Sequence, residues 1–153
     1  MLDIRAGLPE PVFQLSDAER EERAEVSDDW CVCRDTGGEE HFYVRSLVEI
    51  PIPSLDDQFA YGVWVEVTPA TFERLADLWH DERGPEEPAF PATLANELAP
   101  YEDTLGLPVM VQLREVERLP SAELVETDHR LRAEQRSGIT EARAQELAAT
   151  VLH

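Results

Sequence analysis

The sequence contains no lysine, few cysteines and no long apolar run. All 13 basic residues are arginines, against 33 aspartates and glutamates, which gives a formal net charge of −20. Nucleic acids and anionic membranes require a basic surface, so we expect no direct binding to either. No stretch approaches the roughly 20 apolar residues of a membrane-spanning helix. Residues 1–11 also lack the basic and apolar regions of a signal peptide, so we expect a cytoplasmic location.

The cysteines and histidines predict neither a disulfide nor a metal or cofactor site. Cys31 and Cys33 form a C-x-C pair, which lacks the further ligands of a zinc site, and the four histidines show no ligand spacing. Gly37-Gly38 indicates a turn without the helix that a phosphate-binding loop requires. No serine lies in the context of a nucleophile elbow. We therefore expect reduced thiols, no metal and no cofactor.

The negative charge has two explanations, and both stay open. An acidic surface would suit a basic partner, including a nucleic-acid-binding protein that this chain blocks by mimicry. An inhibitor or immunity-type protein is a specific form of this hypothesis. However, a composition without lysine also indicates a GC-rich genome, and acidic surfaces occur in halophilic proteins. The charge therefore limits the class of partner without identifying one.

The central segment, residues 41–67, predicts the organisation of a single domain over residues 1–153. It contains two β-rich runs joined by a turn with proline and aspartate, which we interpret as a central antiparallel pair. One side of the pair is aliphatic under the period-2 rule and is predicted to be buried. Helices over residues 69–80, capped by Thr68, and 141–152 are predicted to cover it.

The other segments complete an α+β fold. Residues 1–15 are predicted to form an extended lead-in. The further predicted elements are helices over residues 17–25, 92–98 and 128–136 and strands over residues 30–34, 107–114 and 122–126. Together these elements predict an antiparallel sheet of about five strands, arranged as hairpins, with helices packed mainly on one face.

The second side of the central pair carries the first group of candidate contacts. Tyr43, Arg45 and Trp64 fall on this side. They are typical of an ordinary half-solvated face, in which cross-strand pairs stabilise the sheet. They are also typical of a shallow recognition surface, because a large aromatic residue beside an arginine is common in binding sites.

The second group of candidate contacts is the densest polar segment, residues 128–136. His129 there suits an acid or base oriented by Glu134 and Gln135. It equally suits a helix cap, with Gln135 bound to the backbone. An enzyme would need a concave pocket that joins His129 to a second titratable group such as Glu134 or Cys31.

Several segments, in order along nearly the whole chain, resemble an uncharacterised bacterial family, domain of unknown function 2199. They are GLP at 7–9, ER-x-x-R-A-x-x-S-x-D-x-C at 19–31, HFYVR at 41–45, YGVWVEVTPATF at 61–72, P-Y-x-x-T-L at 100–105 and H-x-L-x-x-E-Q-x-x-G-I-T at 129–140. Family members often begin with C-x-x-C-G, which this sequence lacks, so the resemblance implies no metal site. Arg130 and Glu66 also replace the usual proline and serine. The family has no assigned activity, and the resemblance implies no mechanism.

These observations predict a small, soluble, non-catalytic binding protein with an acidic surface and a basic partner. The candidate contacts are Tyr43, Arg45, Trp64, Tyr101, His129, Glu134 and Gln135. The alternative is a small enzyme that uses His129 with Glu134 or Cys31. The sequence identifies neither the partner or substrate nor the oligomeric state.

Overall fold

The computed structural model describes residues 2–125 and 127–151. The strands in this part of the chain are β1 (Leu2–Arg5), β2 (Ala24–Val26), β3 (Trp30–Arg34), β4 (Glu40–Ile52), β5 (Asp57–Val67), β6 (Phe90–Leu94), β7 (Pro108–Gln112) and β8 (Ser121–Leu124). The helices are α1 (Glu10–Phe13), α2 (Asp17–Arg23), α3 (Pro69–Leu78), α4 (Arg130–Ser137) and α5 (Glu141–Val151). Residue 126, in a predicted strand, and residue 152, in the last predicted helix, lie outside the described residues.

Five of these strands close into a barrel. From β4 to β8, each strand pairs antiparallel with the next along the chain, and β8 returns to β4 in parallel. Five strands that alternate in direction must close with one parallel pair. That closing pair is short, with Leu47 opposite Ser121 and the Leu47 N–H donating to the Pro120 carbonyl at 2.9 Å. The junction of β4 with β8, which we call the barrel seam, is thus sparsely hydrogen-bonded.

The two longest strands extend the sheet beyond the barrel. β4 has 13 residues and β5 has 11, and the two pair along most of their length. β3 and then β2 continue the sheet antiparallel from β4, while β1 joins β5 in parallel. Among the described residues, β1 and β2 are therefore the edges of the sheet.

The barrel interior and the helices against it form the main apolar core. Val48, Ile50 and Val63 are completely buried on the aliphatic side of the central pair, as the alternation predicted. Leu75 of α3 and Leu147 of α5 are completely buried in the same core. These contacts confirm that helices cover the aliphatic side.

The predicted α+β class is confirmed, but the predicted form of the sheet is wrong. The sheet is mixed and closes on itself, whereas the sequence predicted an antiparallel sheet of about five strands in hairpins. The main cause lies at residues 92–98, predicted as a helix. Phe90–Leu94 instead pairs with both β5 and β7 and completes the ring. Its alternation is short, with Ala92 and Leu94 buried on either side of the exposed Thr93, so pairing with distant strands decides its structure.

Candidate functional site

The side of the central pair that carries Tyr43 and Trp64 is covered. Tyr43 is 2% exposed and Trp64 is 0% exposed. Both belong to a second apolar cluster with Val12 of α1, against which Leu8 also packs. The prediction of a half-solvated face is therefore wrong for these two residues. The cause is the lead-in, in which Leu2–Arg5 forms a strand and Glu10–Phe13 a short helix, whereas the sequence predicted only extended chain over residues 1–15.

A buried amide holds this lead-in against the sheet. The Trp64 N–H donates to Oδ1 of Asn96 at 2.7 Å, and Nδ2 of Asn96 donates to the Leu8 carbonyl at 2.8 Å. Asn96 is 3% exposed, so these bonds satisfy an amide that would be costly to bury unpaired. The second cluster is thus closed by a specific polar contact as well as by apolar burial.

Arg45 is the member of this group that reaches an open recess. Its guanidinium carbon lies 4.3 Å from the centroid of the Trp64 ring, and Nη1 donates to the Ala6 carbonyl. A recess of about 500 Å³ lies beside it, which we call the arginine recess; it is lined by Arg5, Gly7, Val26, Ser27, Asp28, Asp29, Arg45, Trp64 and Leu119. Burial, and then the nearby charge of Arg5, lower the pKa of Arg45.

His129 caps helix α4. Its Nδ1 accepts a hydrogen bond from the Leu131 N–H at 3.0 Å, and its Nε2 bonds to the Glu102 carbonyl. A nitrogen that accepts a backbone N–H bond carries no proton, so the ring proton is on Nε2, which donates a hydrogen bond to the Glu102 carbonyl. Both ring nitrogens are engaged with the backbone, which matches the capping interpretation of this residue.

Glu134 and Tyr101 form an ion-paired cluster with Arg143. The Tyr101 hydroxyl donates to Oε1 of Glu134 at 2.7 Å, and Nη2 of Arg143 donates to the same oxygen at 2.9 Å. Burial acts to raise the pKa of Glu134, but the hydrogen bonds from Arg143 and Tyr101 outweigh it and hold this pKa below its usual value. A carboxylate that is ionised and already accepts these bonds is a poor general base.

Cys31, the other residue in the enzyme hypothesis, lies in an environment that does not favour a reactive thiolate. It is completely buried in the second apolar cluster with Tyr43 and Trp64. Burial, and then the neighbouring Cys33, raise the pKa of the Cys31 thiol to about 12. A thiol with so high a pKa supplies almost no thiolate at neutral pH. Both cysteines are free, as predicted.

A cluster that sequence reasoning missed surrounds His41. Its Nδ1 lies 2.8 Å from Oε2 of Glu66, and its Nε2 lies 3.0 Å from Oδ2 of Asp35. Ligand atoms of Asp35, Glu39 and His41 all lie within 4.8 Å of one another. Glu66 is on β5, distant along the chain, so spacing in the sequence gave little signal. The available signal was local: Asp35, Glu39 and His41, whose side chains can all bind a metal ion, lie close together in the sequence around the Gly37-Gly38 turn.

The hairpin of β2 and β3 exposes an aromatic side chain beside a small cleft. Trp30 is 38% exposed and lies edge-on to Phe72 of α3, with ring centroids 6.4 Å apart. The cleft measures about 180 Å³; it is lined by Asp29, Trp30, Val44, Phe72, Leu75, Ala76, Trp79 and His80. Val26, at the end of β2, is 46% exposed. The sequence placed Trp30 on a strand but did not predict its exposure.

The seven candidate contacts thus fall into two separate groups. Tyr43, Arg45 and Trp64 belong to the covered side of the sheet, whereas the other candidates join α4 to the barrel. Whether any of them contacts a partner stays a prediction. Among the described residues, no helix has both the length and the apolar character needed to cross a membrane.

Comparison with known proteins identifies one family. The family model described as "Uncharacterized protein conserved in bacteria (DUF2199)" matches residues 1–139. No curated protein and no solved structure matches the chain.

Proposed function

The chain belongs to this family of uncharacterised proteins conserved in bacteria, and we propose that it is a non-catalytic binding protein for a basic partner. The contact region that we assign is the hairpin surface, defined as Glu25, Val26, Asp28, Asp29 and Trp30. The observation that carries the proposal is the exposed Trp30 side chain, which lines a cleft together with Asp29.

The distribution of charge supports an acidic contact surface. Of the acidic side chains that the structure describes, most are exposed and none is buried. Many arginines are engaged within the fold, as in the ion pairs of Arg114 with Glu49 and of Arg143 with Glu134. The excess negative charge therefore lies where a partner would meet it. Such a surface steers a basic partner and raises its association rate.

The hairpin surface supports a more specific contact than charge alone. Exposed aromatic residues surrounded by polar ones are frequent anchors of protein interfaces. Tryptophan offers the best aromatic face for a cation, and a nearby carboxylate adds to the attraction. An arginine or lysine side chain of the partner therefore fits between Trp30 and Asp29, with Val26 as adjacent apolar area.

The enzyme hypothesis has less support from the geometry. His129 uses both ring nitrogens on the backbone, and Cys31 is buried with a raised pKa. A groove of about 540 Å³ is lined by Arg130, Glu134 and Arg143 but not by His129. The arginine recess and the cleft beside Trp30 are not lined by His129 either.

Affinity capture from the native host tests the proposal. The wild-type chain, Trp30→Ala and Asp29→Asn are immobilised, and the bound proteins are identified at low and at high salt. We expect basic proteins to bind the wild type and to be released from it by high salt. The same proteins should not bind to Trp30→Ala or to Asp29→Asn. Phe13→Ala and Glu82→Gln serve as matched controls, because Phe13 is 64% exposed elsewhere and Glu82 is an exposed carboxylate. Capture that is insensitive to salt, or equal in Trp30→Ala, would refute the proposal.

A further inference from the structure

We propose that Asp35, Glu39 and His41 form a site for a divalent metal ion of the zinc class, with Glu66 positioning the histidine. The site lies at the turn between β3 and β4, apart from the hairpin surface, and does not depend on the proposed function. The sequence predicted no metal site, because two of the ligands precede β4, the third lies on it and the positioning residue lies on β5.

The first step is the orientation of the imidazole. Glu66 Oε2 lies 2.8 Å from Nδ1 of His41, so a carboxylate on β5 faces the nitrogen that points away from the turn. A carboxylate at this position holds the proton on Nδ1, so that Nε2 is the nitrogen that can bind an ion once its own proton is displaced. Metal-binding histidines are commonly oriented by such a carboxylate, which also raises the basicity of the ligating nitrogen.

The second step is the separation between ligand atoms. Nε2 of His41 and Oδ2 of Asp35 lie 3.0 Å apart. Two ligands that bind one tetrahedral zinc ion at roughly 2.0–2.2 Å are separated by about 3.3–3.6 Å, so this pair would need to open by only roughly 0.3–0.6 Å to hold an ion. A carboxylate oxygen of Glu39 lies within 4.8 Å of both other ligands, so the three can share one ion.

The third step is the rigidity of the turn. Oδ1 of Asp35 accepts hydrogen bonds from the Gly37 N–H at 2.9 Å and the Glu39 N–H at 3.0 Å. The backbone also closes on itself, because the Asp35 N–H donates to the Glu39 carbonyl at 2.9 Å. These bonds fix one oxygen of Asp35 and leave Oδ2 directed at His41. The Asp35 ligand is therefore held in place before an ion arrives.

The fourth step is the chemistry of the ligand set. One imidazole nitrogen and two carboxylate oxygens, with open positions for water, suit zinc and related first-row ions better than calcium or magnesium. A proton on Nε2 of His41, through which this nitrogen donates a hydrogen bond to Asp35, is the competing occupant. Metal binding displaces that proton, so the two occupants exclude each other.

Titration of the full chain with Co²⁺ and Zn²⁺ at pH 7.5 tests the site. We expect one Co²⁺ ion per chain with visible absorption bands that Zn²⁺ abolishes. His41→Gln and Glu39→Gln should each weaken Zn²⁺ binding at least tenfold in calorimetry. Glu66→Gln should weaken it about 10- to 100-fold, as removal of an orienting carboxylate does. His80→Gln, which changes an exposed histidine elsewhere, should bind as the wild type does.

Two results would overturn the proposal. One is the absence of saturable binding to the wild type. The other is binding that persists in Glu39→Gln and His41→Gln, which would identify only adventitious association with surface carboxylates. Glu39 is exposed, so its substitution tests the site even if His41→Gln fails to fold. Circular dichroism of each variant separates loss of a ligand from loss of structure.

Discussion

Gln135 accepts a hydrogen bond from the Leu124 N–H at 2.8 Å and donates one to the Ala122 carbonyl at 3.0 Å. The next N–H along β8, that of Val125, donates to Pro108 on the β7 side. Backbone groups of successive residues in a strand point to opposite edges, so Leu124 and Ala122 face the other side, toward the barrel seam. The carboxamide of Gln135 therefore takes the place of a paired strand where the contact between β4 and β8 ends.

Gln135→Leu should destabilise the fold by about 1–2 kcal/mol. The leucine keeps a similar volume but leaves the Leu124 N–H and the Ala122 carbonyl without these partners. Urea unfolding followed by circular dichroism should show a lower midpoint with an unchanged slope. Arg136→Ala, at the exposed neighbouring position, should change the free energy of unfolding by no more than about 0.5 kcal/mol. Equal midpoints for the two variants would show that the amide does not support the seam.

Local signals explain which elements could be predicted. Helix α3 begins where expected, because Thr68 Oγ1 accepts from the Thr71 N–H at 3.1 Å and Pro69 occupies the first turn. The capping box of Ser16 and Glu19 is likewise present at the start of α2. Each signal involves residues within one helical turn, so the sequence alone contains it.

Non-local pairing explains what could not be predicted. β6 is a strand because it pairs with β5 and β7. Neither pairing can be recognised from the sequence of residues 90–94 itself. The burial of Trp64 depends in the same way on residues such as Leu8, far away along the chain. Period-2 alternation shows that Tyr43 and Trp64 share a side of the sheet. It does not show what covers that side.

The Glu134 carboxylate should give the fold a specific dependence on pH. Its folded-state pKa lies below the usual 4.5, so its contribution to stability is present above the unfolded-state pKa. That contribution is lost as the pH falls through the lower, folded-state pKa. Glu134→Gln should therefore be less stable than the wild type by about 1–3 kcal/mol at pH 7, because charge-assisted bonds from Arg143 and Tyr101 are weakened.

Chemical unfolding of both chains across pH 7 to 3 measures this effect. The difference in free energy of unfolding should shrink as the pH falls below about 4.5, since the carboxyl of the unfolded wild-type chain then takes up a proton while that of the folded chain is still ionised. Glu141→Gln changes an exposed carboxylate in the first turn of α5 and should show a smaller difference at pH 7. A gap for Glu134→Gln that stays constant down to pH 3 would contradict the assigned ion pair.

Cys31 should resist thiol reagents in the folded chain. Its pKa is raised to about 12 by burial, and the residue is 0% exposed, so both the thiolate and the access are lacking. In a Cys33→Ser variant, which leaves Cys31 as the single thiol, modification by a chromogenic disulfide at pH 8 should be far slower than that of free glutathione. Urea should restore the full rate. Rapid modification without denaturant would contradict this prediction and support the hypothesis that Cys31 is a nucleophile.

Arg45→Met should loosen the lead-in while leaving the barrel closed. The substitution keeps much of the apolar stem but removes the cation over the Trp64 ring and the donor to the Ala6 carbonyl. The lead-in would then be held mainly by apolar contacts and by backbone bonds such as that of the Glu10 N–H to the Ala95 carbonyl, at 2.7 Å.

Native-state hydrogen exchange separates this local effect from global unfolding. In Arg45→Met, we expect faster exchange of the Ala6 and Glu10 amides, with little change at Val63 in the barrel core. Arg118→Met, which removes a largely exposed arginine paired with Glu115, should leave all three amides unchanged. Uniform acceleration at Val63 and Ala6 would mean that Arg45 supports the whole fold. Unchanged exchange at Ala6 would mean that the apolar burial and the other hydrogen bonds hold the lead-in over Trp64 without Arg45.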